Sequence, residues 1–383
     1  MPKNNRILII GNGGIAKKNQ NIALANNDVG NFILDLKKKG YCVRYCDRIG
    51  AAQVDSFLYT FDLKKNNIKY SIISGRRPKS YFHLLKLTFF ILTNAHIYIY
   101  YPGGISKWAP RICLFFGKKY QVYVRGYGLY VPDKSRKAEI DNDFNDTLIL
   151  NKATSLITVS PIMQKDLQKT NERVYLIKPM LYWDLHDIFN RRSDAFHQTD
   201  WNFLFVGTVD ERKGILELIE VARILKQKGL KFRINVAGDG ELLEYLFEQE
   251  RKNNASSDIY FLGSIYDKLE MARIYEKSHA LLLLSRNEGF PRVLYEAMIK
   301  SLPIFTTMIS GVAGTLIPDY NCIELPIRDP NGQAQAILNA IKRPELMKYI
   351  AETGQKTVID ILKTRTPHYQ VLIDCITNAI VSL

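Results

Sequence analysis

Short apolar runs that recur between longer helical stretches constrain this chain more than any other feature. In the first half, Arg6–Ile10, Tyr41–Cys46, Ile68–Ser74, Ile97–Tyr101, Tyr120–Val124 and Ser155–Val159 read as strands. They are continuous and rich in β-branched and aromatic residues, as expected for parallel strands buried on both faces. The pattern restarts near Trp201 with Asn202–Val206, Phe232–Ala237, Ile259–Leu262, Ala280–Leu284, Pro303–Thr306 and Ile323–Leu325. A helix predicted from Gly214 to Lys228 carries Ile215, Leu218, Ile219, Ala222 and Leu225 on one face. Another is expected between the first two strands, ending at Lys37–Lys39 before Gly40. Two successive βα series predict an α/β chain of two Rossmann-like, doubly wound domains. The expected division is a first domain over 1–190, a polar linker over 191–200 and a second domain over 201–360. A terminal helix over 361–383 would be able to cross back to the first domain.

Charge divides the chain in the same way. Residues 1–200 hold 31 Lys and Arg against 16 Asp and Glu, whereas residues 201–383 hold 22 of each. The whole net charge of +15 therefore lies in the first half, and the two halves are expected to meet different partners. A basic surface attracts nucleic acid, anionic lipid or acidic substrates, and a plainly solvated basic face is the simpler reading. No recognisable nucleic-acid module with interleaved aromatics is visible, so nucleic acid is not expected. Lys37–Lys39, Arg76, Arg77, Lys79, Lys86 and Arg111 surround an apolar helix expected over Tyr81–Leu92, with Lys107, Lys118 and Lys119 nearby. Such a surface suits peripheral binding at the inner face of an anionic membrane. Lys86, Asn94 and His96 interrupt Tyr81–Tyr101, which is too broken for a spanning helix. The five cysteines form no CxxC pair, which fits a reducing cytoplasm, and Met1–Gly11 does not read as a signal peptide.

The segment Ser285–Pro303, reading SRNEGFPRVLYEAMIKSLP, carries the chemistry. It follows a predicted strand, turns at Gly289 and enters a helix at Pro291. The first N–H groups of that helix suit a diphosphate. Glu288 precedes the helix and Glu296 lies within it, eight residues on. Two carboxylates beside a diphosphate repel it, unless they contact sugar and ribose hydroxyls while the N–H groups hold the phosphates. Taken alone, Glu288 fits a helix cap and Glu296 a solvated helix residue. A second segment, Phe205–Gly214 (FVGTVDERKG), sets Lys213 at a helix start. There the helix dipole disfavours a cation unless an anion is near; a surface lysine is the plainer reading.

Together these segments resemble the E-x7-E signature of glycosyltransferase family 4, the group 1 transferases, typified by EGFP-x-V-x-x-E-A-M. Glu288–Pro291, Val293 and Glu296–Met298 match it in register. The resemblance covers about Asn202 to Ile341 and, more weakly, the first half. It implies a GT-B fold, with two Rossmann-like domains facing across a cleft and the donor held by the second. The implied reaction is retaining transfer of a sugar from a nucleotide-diphospho-sugar, UDP- or GDP-linked, to an acceptor hydroxyl. Surface polysaccharide (capsule, O-antigen or exopolysaccharide) or glycolipid assembly is the implied setting. No metal or other cofactor is expected.

By family pattern, Glu288 contacts the sugar and Glu296 the ribose, and the amides around Phe290, Pro291 and Val293 meet the diphosphate. Lys213 matches the family's diphosphate lysine, while Thr208 stands where an arginine is common; Arg212 or Arg292 is positioned to compensate. Ser264, at the end of Ile259–Ser264, falls where the family places the base, and plain turn chemistry explains it equally well. Gly13 and Gly14 fit the family's glycine loop facing the donor phosphates. Gly11-x-Gly13 alone is a weak dinucleotide signature, with Ala at position 16. Arg125 replaces a common family histidine; an anion contact at donor or acceptor and a plain strand-end arginine both fit it. Asp141–Asn142–Asp143 reads as a helix cap rather than a metal motif. Another GT-B enzyme, such as an epimerase or phosphorylase, and a catalytically silent nucleotide-sugar-binding protein are the competing readings.

Overall fold

The computed structural model describes residues 3–12, 15–18, 21–24, 27–48, 61–73, 81–103, 105, 108–124, 147–181, 183–191, 193–253, 258–286, 288, 291–309 and 311–377. The chain divides into two compact units, one of Met1–Pro179 with Arg365–Leu383 and the other of Met180–Thr364.

The first unit is built on β1 (Arg6–Ile10), β4 (Cys42–Asp47), β6 (Lys69–Ile72), β7 (His96–Tyr101), β8 (Gln121–Val124), β9 (Ser155–Thr158) and β10 (Val174–Leu176). They form one parallel sheet in the order β10-β9-β8-β7-β1-β4-β6. Side chains of β7 alternate between two apolar layers. Ile97 and Ile99 pack with α2 (Tyr81–Thr93) and α3 (Trp108–Phe115) on one face. On the other face Tyr98 and Tyr100 meet Phe32 of α1 (Asn27–Lys38). The stretch after β1 departs from expectation: before α1 comes a hairpin of β2 (Ile15–Lys18) and β3 (Asn21–Leu24), extended by β5 (Phe61–Asp62). A dinucleotide fingerprint needs its glycine loop to open directly into a helix. Here the chain enters β2 instead, so that reading falls away. Asp47, at the end of β4, is buried and bound by the Tyr45 hydroxyl at 2.7 Å and the Arg48 N–H at 2.7 Å.

The second unit has a parallel sheet in the order β13-β12-β11-β14-β15-β16. Its strands are β11 (Asp200–Val206), β12 (Lys231–Ala237), β13 (Ile259–Gly263), β14 (Ala280–Leu283), β15 (Ile304–Thr307) and β16 (Ile323–Leu325). Phe203 and Phe205 enter one core and Leu204 the opposite one, so this sheet too is buried on both faces. The former core holds α5 (Ile215–Gln227) through Ile215, Leu218, Ala222 and Leu225. α7 (Lys268–Lys277) starts at Asp267, whose carboxylate accepts the Glu270 N–H at 2.7 Å.

Two expected boundaries are corrected. The stretch 191–200 is not a linker: the units divide at Pro179 and Met180, and Phe196 is buried in the core of the second unit. Arg191 donates to the carbonyls of Tyr275, Glu276 and Ser278 at the end of α7, where a cation complements the helix dipole. Burial pulls this guanidinium down to about 10. Nor is 361–383 one helix. α10 (Pro344–Thr364) belongs to the second unit, and α11 (His368–Thr377) to the first. Pro367 lies at the break and has no N–H to continue a helix. The crossing is fixed by Lys178 N–H donating to Thr366 at 2.8 Å, and His368 stacks on Phe32 and meets the Tyr98 hydroxyl at 2.5 Å.

Candidate donor site in the second unit

The carboxyl ends of β11, β12 and β13 are stitched by backbone hydrogen bonds: Gly207 N–H to Ala237 at 3.1 Å and Gly238 N–H to Gly263 at 2.8 Å. The loops lie so close that a Cβ on Gly238 would fall 1.8 Å from the Gly207 oxygen. The chain then makes a single 3-10 turn, Glu211–Lys213. Asp210 caps it, accepting the Lys213 N–H at 2.8 Å and the Thr208 hydroxyl proton at 2.7 Å. Burial works to raise the Asp210 carboxyl. The hydrogen bonds from Thr208 and Lys213 and the charge of Arg212 outweigh it and hold the group below its ordinary range. Gly214 follows with φ 76°, and a Cβ there would lie 2.1 Å from the Leu284 oxygen. Only glycine permits both the left-handed backbone and that approach.

This close approach brings Lys213 to the loop after β14. Its ammonium forms an ion pair with Glu288, and both side chains are largely buried. Arg212 stands 3.7 Å from the other Glu288 oxygen, and Ser285 donates to Glu288 at 3.2 Å. The anion that Lys213 requires at a helix start is therefore Glu288 itself. Glu288 is not the cap of the following helix. α8 (Arg292–Ile299) has Pro291 at its cap position, with no side-chain hydrogen bond to close its start. Pro291 brings no N–H of its own, so the expectation of an amide there is corrected to the amides of Arg292 and Val293. Glu296, inside α8, accepts the hydroxyl of buried Tyr275 at 3.2 Å. Burial first, and Glu296 second, push that phenol well above its ordinary value.

The expected residues therefore separate into groups. Lys213, Glu288 and Arg212 come together, with Thr208 beside them. Thr208 is exposed, but its hydroxyl is directed to Asp210. Arg212 lies beside Thr208, donating to the Thr208 oxygen at 3.3 Å and to Asp210 at 3.2 Å. Val293 and Glu296 sit on α8, and Ser264 is exposed at the end of β13 on the sheet's far edge. Gly13, Gly14, Phe290, Arg125 and Asp141–Asp143 lie outside the described residues.

Sequence reasoning missed Arg286. Its Nε donates to buried Glu217 on α5 at 2.6 Å, its outer nitrogen pairs with Glu211, and its N–H donates to the Arg212 carbonyl at 2.9 Å. It thus ties the loop of Glu288 to the turn of Lys213. The hydrogen bond to Glu217, aided by Glu211, raises this guanidinium further. No spacing signals the partnership, because Glu217 lies 69 residues away. Asp210 did carry a signal, as an acidic residue before a helical turn.

Residues 187–357 match the family model for glycosyl transferases group 1. An uncharacterized glycosyltransferase of Methanocaldococcus jannaschii is 33% identical over 163 residues, 42% of this chain and 44% of that protein. The capsular polysaccharide biosynthesis glycosyltransferase CapM of Staphylococcus aureus is 25% identical over 178 residues, 44% of this chain and 45% of its own. The matched segment thus spans less than half the length of either relative. The solved structure of Anabaena HepE in complex with UDP-glucose superposes with a TM-score of 0.70 at 15% identity, covering 99% of this chain and 100% of that one. The chain has the GT-B fold, and the part of it that matches the group 1 glycosyl transferases is the second unit, which holds the Lys213–Glu288 pair.

Proposed function

We propose that this protein is a retaining glycosyltransferase. It moves a hexose-type sugar from a UDP- or GDP-linked donor to an acceptor hydroxyl in surface polysaccharide or glycolipid assembly, at the cytoplasmic face of a membrane. The observation that carries the reading is the buried Lys213–Glu288 pair, with Arg212 beside it and the uncapped start of α8 next along the chain. An ammonium has three donors, so Lys213 can keep Glu288 and still meet a phosphate oxygen. In the reaction the bond from the anomeric carbon to the diphosphate oxygen breaks, and negative charge develops on the departing diphosphate. Lys213, Arg212 and the first N–H groups of α8 stabilise it in this reading. These cations take the role a metal would otherwise fill. Glu288 accepts from sugar hydroxyls and Glu296 from the ribose, while Tyr275 holds the Glu296 carboxylate. Relatives named for capsule and colanic acid biosynthesis support the polysaccharide setting.

A thermal-shift screen with UDP, GDP and ADP tests the donor class. Stabilisation by one nucleoside diphosphate, lost in Lys213→Ala, is expected. No stabilisation by any of them would remove the transferase reading.

A further inference from the structure

α2 is apolar apart from His83, Lys86 and two threonines, a composition that ordinarily marks a buried helix, yet one of its faces is open. Leu87, Phe90 and Ile91 enter the core of the first unit. On the opposite side Phe82, Leu85 and Phe89 are 69%, 68% and 61% exposed, and they recur at positions that form one stripe. α3 packs beside α2 on the same core through Ala109, Ile112 and Cys113. Its end exposes Phe115 at 83%, with Phe116 and Trp108 also open. Scattered exposed apolar residues need no explanation, but groups of large ones on two helices that pack side by side mark an interaction surface.

Charge says what covers it. From Leu63 to Pro132 the sequence contains no Asp or Glu, against 12 Lys and Arg. Within the described part, Lys86 lies 5.9 Å from the Phe90 ring and Arg111 stands over Trp108 at 5.6 Å. Lys118 and the exposed Lys119 follow Phe116 after Gly117. A protein partner that fits an apolar row also tends to answer charge with charge at discrete points. An acid-free basic field of this length instead matches a surface that is uniformly anionic and has an apolar interior.

We infer that the outer face of α2 and the end of α3 dock on an anionic lipid bilayer, with Phe82, Leu85, Phe89 and Phe115 entering the acyl boundary and the flanking lysines and arginines meeting the headgroups. This deepens the membrane setting proposed above by naming the surface and making binding partly apolar. It follows that added salt weakens the association but does not abolish it, since screening acts on the charges alone.

The test is flotation of the full chain with phosphatidylcholine vesicles, with and without phosphatidylglycerol, at low and high salt. No nucleotide is present, so the outcome is independent of the transferase reading. Trp108 supplies a second readout, because Trp183 and Trp201 are both buried and a blue shift on binding reports its environment. The account expects flotation with the anionic vesicles, a Trp108 blue shift, and a loss of about tenfold or more in partitioning for F82S/L85S/F89S. The three positions are exposed, so the variant should keep the parent melting midpoint. Three results would overturn the proposal. They are absence of flotation at low salt, equal flotation of the triple variant, and a wild-type dimer that ignores vesicles but becomes monomeric in the triple variant. The last would mean that a second copy covers the face.

Discussion

The two units share a parallel sheet buried on both faces, but they differ in what their surfaces are prepared to meet. The second has balanced charge and draws its cations inward: Lys213 is paired with Glu288, and Arg286 with Glu217 and Glu211. The first has surplus cations and sets one of them, Arg111, over the exposed ring of Trp108. The lesson is that a charge count alone does not locate anion binding. In the second unit a small ligand would meet a few fixed charges already oriented by carboxylates. In the first, a broad excess of basic side chains suits an extended surface.

Substitutions that disturb one unit and spare the other sharpen this contrast. The largest effect is expected from Lys213→Ala. It removes a cation from the proposed diphosphate site and leaves Glu288 without it, and turnover should fall roughly 100- to 1000-fold in initial-rate assays. An unchanged rate would break the contrast at once. Arg286→Lys comes next. A lysine cannot span Glu217 and Glu211 as a planar fork does, so both loops lose their tie. Turnover should fall roughly tenfold to a hundredfold, with nucleotide affinity less affected, because the charges at Lys213 and Arg212 remain. Equal losses in affinity and turnover would show a structural role only.

Gly214→Ala should act on stability. The left-handed backbone and the clash with Leu284 should cost about 2 kcal/mol or more in a denaturant titration followed by the buried Trp183 and Trp201. The smallest effect is expected at Asp210. Its folded carboxyl is held below the ordinary 3.8, so its contribution is fully present above that value and is lost as pH falls through the lowered folded value. Asp210→Asn should therefore melt below the parent at neutral pH, and the gap should close in acid. A gap independent of pH would assign the loss to packing.

Much of the second unit was legible because the determinants are local. Asn202–Val206 and Gly214–Lys228 show their periods within a few residues, and the glycines of Phe205–Gly214 mark a turn that the close backbone approaches require. Glu288 and Lys213 were legible as separate residues through the family signature; their pairing was not. It depends on Gly214 meeting Leu284 and on Arg286 reaching Glu217, contacts between segments about 70 residues apart. The hairpin β2–β3 was hidden for another reason: four-residue strands carry too little periodic signal to be separated from the helix that follows. The boundary near residue 190 misled because Arg191 and Phe196 lie in a polar stretch, and burial of two side chains leaves no mark on its average polarity. The apolar helix over Tyr81–Leu92 and the cations around it were legible in composition, but which of its side chains turn outward was not, because its period carries no clear polar face.

The central claim is that the Lys213–Glu288 region binds a nucleoside diphosphate. Calorimetric titration of UDP and of GDP into the parent protein and into Lys213→Ala tests it most directly. The account predicts saturable binding of one of them by the parent and an affinity at least about tenfold weaker in the variant, as expected for loss of one charged hydrogen bond. Equal affinities in the two proteins, or no binding by the parent, would contradict it.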